Sequence, residues 1–112
     1  MSEAAGLRER LRFLADVVSR EEQYLAQTDE RLFGASFGMA EAADLRNNPE
    51  RGERVDALVA RFGRLQDTLA GAFLPRLLEA LLEPVGPVLD NLNRAERLGW
   101  IRSASDWAEL RL

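Results

Sequence analysis

The sequence contains no cysteine and no histidine. Counting alone therefore excludes a disulfide framework, a structural zinc site, a cysteine nucleophile, a histidine-based triad and a histidine general base within the chain. A chain without cysteine agrees with a reducing compartment, so a cytoplasmic protein is expected. Lysine is missing too, and all 15 basic residues are arginine. Arginine suits bidentate recognition of phosphate and carboxylate. The plainer account is a GC-rich genome, since Ala, Gly and Leu are abundant as well. Nineteen acidic residues outweigh the bases to give a formal charge of −4, which does not describe a protein that coats a nucleic-acid duplex. No apolar run approaches the roughly 18 residues of a membrane span, and none follows a basic start as in a signal peptide. Strand formers are scarce. Val, Ile and Thr supply nine residues, whereas Leu and Ala supply 35, so an all-helical fold is expected. At 112 residues, 46% of them hydrophobic, the chain fits one folded domain, 1–112, rather than a disordered segment.

What is present is helical periodicity. Leu7, Leu11, Leu14, Val18, Leu25 and Leu32 fall on one seven-residue repeat, with Glu21 and Thr28 at the remaining seam positions. A helix over 3–33 follows, with Phe13, Val17 and Tyr24 widening its stripe enough for packing in a bundle. Two glycines, Gly34 and Gly38, break it, and an Ala-rich short helix is expected near 39–46. Asn48 is a good N-cap and Pro49 suits a first turn, opening a second long helix over 49–82. Pro75 should kink or break it near Ala72–Leu74, aided by Gly71. After the turn at 83–87, a third helix over 87–98 is expected to face Val88, Leu89, Leu92 and Ala95 inward and to stop at Gly99. Ser103 with Asp106 resembles a capping box for a last helix from 104 onward. That helix reaches Leu112 with no stop signal, and the natural chain is expected to continue past it. The expected core is Leu11, Leu14, Val18, Leu25, Val55, Leu58, Phe62, Leu65, Leu69, Leu77, Leu81, Leu92 and Trp107. The expected architecture is an antiparallel, up-and-down bundle of four to five helices.

Without His or Cys, chemistry in this chain falls to carboxylates, Arg, Tyr24 or a bound metal. Arg61, Arg64, Gln66 and Asp67 form one polar cluster on the second long helix. It reads as a phosphate-holding groove or as an ordinary solvated face with a weak ion pair. Gln66, between core positions Leu65 and Leu69, is also placed for a buried hydrogen bond. Asn91 and Asn93 carry a propensity cost in a helix interior, so they either bond another segment or partner, or form a polar face. Glu21-Glu22 and Asp29-Glu30 lack the two-helix arrangement of carboxylate metal sites and read as solvated. Trp100 and Trp107 read as core or interface anchors. No catalytic residue, metal site or cofactor is assigned within the chain. A homodimer seam along the first helix would run through Leu25 and Leu32.

Three runs also carry a family resemblance. Arg61-Phe62-Gly63-Arg64-Leu65-Gln66-Asp67-Thr68-Leu69 resembles the second-helix signature of HEPN-domain proteins of the minimal-nucleotidyltransferase partner type, also called HepT-like or nucleotidyltransferase substrate-binding proteins. The run from Asp90 to Gly99 is similar to their third helix. Ser103 to Trp107, followed by Leu110-Arg111-Leu112, is similar to the approach to their last core helix. The resemblance implies a helical bundle that commonly pairs two-fold. It implies a ribonuclease toxin encoded beside a nucleotidyltransferase antitoxin, with RNA as substrate and no membrane. It also implies an Arg-(four to six residues)-His active-site motif starting just after Leu112. No histidine is present, so that motif is absent from these residues. The alternative is a non-catalytic helical binding or dimerisation module that partners a nucleotidyltransferase.

Overall fold

In the computed structural model, which describes residues 2–34 and 37–110, every regular element is a helix. Helix α1 (Glu3–Phe33) starts where Ser2 leaves the extended region and its hydroxyl accepts the Ala5 amide at 3.2 Å. That bond satisfies one of the orphan donors of a helix start. The seven-residue register persists through the helix, whose buried residues are Leu14, Thr28 and Leu32. Helix α2 (Met39–Ala43) passes into a 3-10 turn over Asp44–Asn47. Asn48 then caps α3 (Pro49–Asp67), its Oδ1 accepting the Arg51 amide at 3.1 Å.

The second long helix does not break at Pro75. It continues through a π segment, Thr68–Phe73, into α4 (Leu74–Ala80). The Leu74 amide donates to the carbonyl of Leu69, five residues back. A proline ring in an α turn would strike the carbonyl four residues before it, here that of Gly71. The wider π turn immediately upstream relieves that clash, so the helix bulges instead of breaking. The end is also earlier than the expected Leu82. Leu82 takes φ +59°, and the Glu83 amide returns to the Leu78 carbonyl at 2.9 Å. This is a Schellman-type stop with leucine where glycine is usual.

Helix α5 (Val88–Arg97) ends at Gly99, φ +80°, with the Trp100 amide on the Ala95 carbonyl at 2.9 Å. Helix α6 (Ala104–Leu110) opens with the Ser103 hydroxyl accepting the Asp106 amide at 3.1 Å. The course of α6 beyond Leu110 lies outside the described residues. No helix among the described residues is long and apolar enough to cross a membrane.

Side-chain bonds fix the topology. Arg61 reaches Tyr24 and Thr28, while Thr68 reaches Glu21. Advancing along α3 therefore means retreating along α1, which makes the pair an antiparallel hairpin. Helix α5 packs on the π segment and α4, and α6 packs on α5. The result is elongated, 55 × 30 × 19 Å. Its shortest dimension is about two helix diameters. The radius of gyration of 17.4 Å exceeds the roughly 13 Å of a compact chain this long.

The core departs from expectation in a systematic way. Leu14 and Leu92 are buried as expected, but Leu81 is 54% exposed and Phe62 37%. Leu11, Val18, Leu25, Val55, Leu58, Leu65, Leu69, Leu77 and Trp107 are only half-buried. Val88 and Leu89, expected inside, are about half exposed. The closed core is Ala70, Leu74, Leu78, Leu92, Ala95 and Ala104, with Ile101 and Trp107 packed against it. The π segment holds more residues per turn than an α turn, so the inward register advances by one. Leu74 and Leu78 take the places that strict α periodicity assigns to Phe73 and Leu77. The inward face of α5 is narrow because only one side of it meets the π segment and α4.

Candidate functional site

The polar cluster on α3 divides once the helices pack. Arg61 turns toward α1, where its guanidinium donates to the Tyr24 carbonyl at 2.9 Å and to the Thr28 hydroxyl, and lies 5.7 Å from the Tyr24 ring centre. Thr28, 3% exposed, in turn donates to the Tyr24 carbonyl at 3.0 Å. This clamp explains one of the two polar seam positions of the first helix, Thr28. About two turns further, the Thr68 hydroxyl donates to Glu21 Oε1 at 2.6 Å, with the Arg64 carbonyl at 3.0 Å as a competing acceptor. Glu21 is therefore not part of a solvated face. Its Oε2 is buried and has no hydrogen-bond partner among the described residues. Its seam position in the heptad already pointed it at the second helix.

Arg64 and Asp67 are exposed, whereas Gln66 is 4% exposed and has no hydrogen bond to a described residue. Gln66 faces a cavity of about 610 Å³ with Ala70, Leu89, Leu92 and Trp107 around it. Next to it along α3, a groove of about 490 Å³ lies between the two long helices. Leu25, Ala26, Leu58, Val59 and Phe62 line it, with Glu22 and Asp29 at its edge. Leu25 thus faces an open surface. Leu32 is 5% exposed and buried within the chain.

The second cluster closes the turn before α5. Asn91, 2% exposed, accepts the Gly86 amide at 2.8 Å and donates to the Gly86 carbonyl at 2.9 Å. Arg94 pairs with Glu83 at 3.2 Å, and Glu96 accepts the Ala104 amide at 2.8 Å. These side chains tie α4, α5 and α6 into one unit. Asn93 and Arg97 remain exposed beside them, lining an open depression of about 580 Å³. Trp107 anchors the core, and Trp100 is 39% exposed.

One carboxyl has a displaced titration. Glu41 accepts the Gly38 amide at 2.8 Å. That bond, then its own amide, and more weakly the charge of Arg51, hold it below the ordinary value against a small opposing effect of burial. It stabilises the start of α2.

Among the described residues no group of His, Cys, Asp and Glu is arranged to hold a metal ion. The arrangement offers surfaces for association: an apolar groove on α1 and α3, a cavity lined in part by Gln66, and exposed Arg64, Asn93 and Arg97. Compared with protein-family models, curated proteins and solved structures, the chain matches none of them.

Proposed function

We propose that this chain is the helical scaffold of a HEPN-type toxin, a ribonuclease neutralised by a partner nucleotidyltransferase in a toxin–antitoxin pair. The observation that carries the reading is where the three resembling runs fall. The first contains Arg61 and Thr68, which join α3 to α1. The second contains Asn91, Glu96 and Gly99, which close the turn, receive α6 and stop α5. The third contains the Ser103 cap of α6. Signatures of packing and capping belong at such junctions, and here each one is used. In this reading the scissile chemistry belongs to an Arg-(four to six residues)-His motif that the 112 residues lack. Its Arg would stabilise phosphate charge, and its His would move the proton of the RNA 2′-hydroxyl. Of the residues expected to meet RNA or the partner, Arg64, Asp67 and Asn93 are exposed.

The test is expression of the native reading frame in a bacterium, with and without the nucleotidyltransferase encoded beside it. Growth arrest with RNA cleavage, relieved by the nucleotidyltransferase, is expected. Normal growth and intact RNA would overturn the toxin reading.

A second reading has an observation of its own. The chain has no histidine or cysteine, and Arg61, Asn91, Arg94 and Glu96 are all committed to holding helices together. A non-catalytic module that binds the nucleotidyltransferase fits those facts. It predicts a stable complex with that enzyme and no RNA cleavage.

A further inference from the structure

We propose that the cavity between the π segment and the connection from Trp100 to Trp107 binds a small, uncharged, two-ring aromatic molecule. The cavity follows from the register shift that the π segment imposes. Leu74 and Leu78 turn into the closed core, so Phe73 and Leu77 lose their places there and stand half-buried at its edge, as does Leu69. Together with Trp100, Ile101 and Trp107 they surround about 250 Å³. Protein interiors are packed as densely as organic crystals, and voids larger than a water molecule are few. Bulges of the π type also recur at functional sites.

Three features of the wall select the ligand. Size is the first. A dry apolar cavity of about 150 Å³ takes up benzene, so the 250 Å³ here suits two fused rings. Charge is the second. None of the described residues lining the cavity is charged, and an ion moved into such surroundings would lose its hydration with no opposite charge to replace it. The only polar side-chain atoms on the wall are the indole N–H groups of the two tryptophans, which donate and cannot accept. Shape is the third. Phe73, Trp100 and Trp107 present three rings, on which a flat aromatic can stack or rest edge-on. The neighbouring cavity of about 610 Å³ shares Ala70, Leu92 and Trp107 but includes Gln66 and Asp67 in its wall, and so lacks this selectivity. Entry needs no unfolding, because Trp100 is 39% exposed in the connection that follows Gly99, φ +80°. The inference rests on the cavity alone and is independent of the ribonuclease reading.

Indole is the probe. Calorimetry on the whole chain should show a single indole bound per chain, with a dissociation constant of about 10–100 µM for a ligand of that size. The Nε1–H resonances of Trp100 and Trp107 should shift in step with that occupancy. Indole-3-carboxylate adds a charge to the same rings and should bind at least about tenfold more weakly. Leu77→Trp puts a larger side chain at the half-buried edge of the cavity and should weaken indole binding about tenfold or more. Leu82→Ser, at a position 93% exposed beyond the end of α4, should leave it unchanged. The measurements on the parent protein decide the proposal even if Leu77→Trp does not fold. No heat and no shift of either indole N–H at about 1 mM indole, or equal affinity for indole-3-carboxylate, would overturn it. So would parental affinity in folded Leu77→Trp, or weakened binding in Leu82→Ser.

Discussion

Replacing Asn91 by alanine should cost about 2–3 kcal/mol of stability. The side chain is 2% exposed and makes both of its strong bonds to Gly86, at 2.8 and 2.9 Å. Each such bond contributes about 1 kcal/mol net. Gly86 is itself exposed, so water can take over its amide and carbonyl, and the larger penalty for stranded buried groups does not arise. The small void left where the amide stood supplies the remainder. For a domain of this length, about 4–5 °C of melting temperature accompanies each kcal/mol, so a fall near 10 °C is expected. Calorimetry and urea titration should be run at one fixed protein concentration, because any self-association would make the melting point depend on it. The urea slope should not change, since the loss is in the native state. Asn91→Asp supplies a separate check. Its charged form would oppose the Gly86 carbonyl, whereas its protonated form could donate to it. The folded-state pKa is then raised, so stability relative to the parent should be greatest below the unfolded carboxyl value. It should decline as pH rises through the folded one. A melting temperature within 2 °C of the parent for Asn91→Ala (a change of less than about 0.5 kcal/mol) would refute the idea that this amide holds the turn.

Three further outcomes follow from the same reasoning. Leu78→Ala empties a site whose side chain is wholly buried in the closed core. It should cost about 3–5 kcal/mol in urea unfolding, whereas Leu77→Ala, half-buried on the neighbouring face, should cost distinctly less. Leu82→Gly should instead stabilise the chain by about 0.5–1 kcal/mol, read as a higher urea midpoint, because φ +59° strains leucine and suits glycine. Glu41 has its folded pKa lowered by the Gly38 amide. Its contribution is therefore present above the unfolded carboxyl value and is lost as pH falls through the folded one. The Gly38 amide resonance should titrate below the ordinary carboxylate midpoint, and that titration should vanish in Glu41→Gln.

The local signals were legible because they act within a few residues. Asn48 and Ser103 cap helices, and Gly99 ends one, as their positions implied. The heptad even placed Glu21 and Thr28 against the second helix, although acidity alone suggested solvent for Glu21. What periodicity could not supply was the inward face beyond residue 68. A 3.6-residue pattern assumes an uninterrupted α-helix, and Pro75 enforces a bulge that no apolar spacing announces. The polar clusters show the same limit. Arg61 and Asn91 look like binding residues in sequence because both are polar within helices. Only packing reveals that one is a strut to α1 and the other a latch on Gly86.

The π segment has a consequence for how this chain can change over evolutionary time. A lost residue elsewhere in the long helix would screw everything downstream round by about 100° and turn the inside out. Between Thr68 and Phe73, one residue could be removed and the flanking faces would still look the same way, provided Pro75 were exchanged for a residue that accepts an ordinary turn. Along this rod, a change in word length is forgiven in one place.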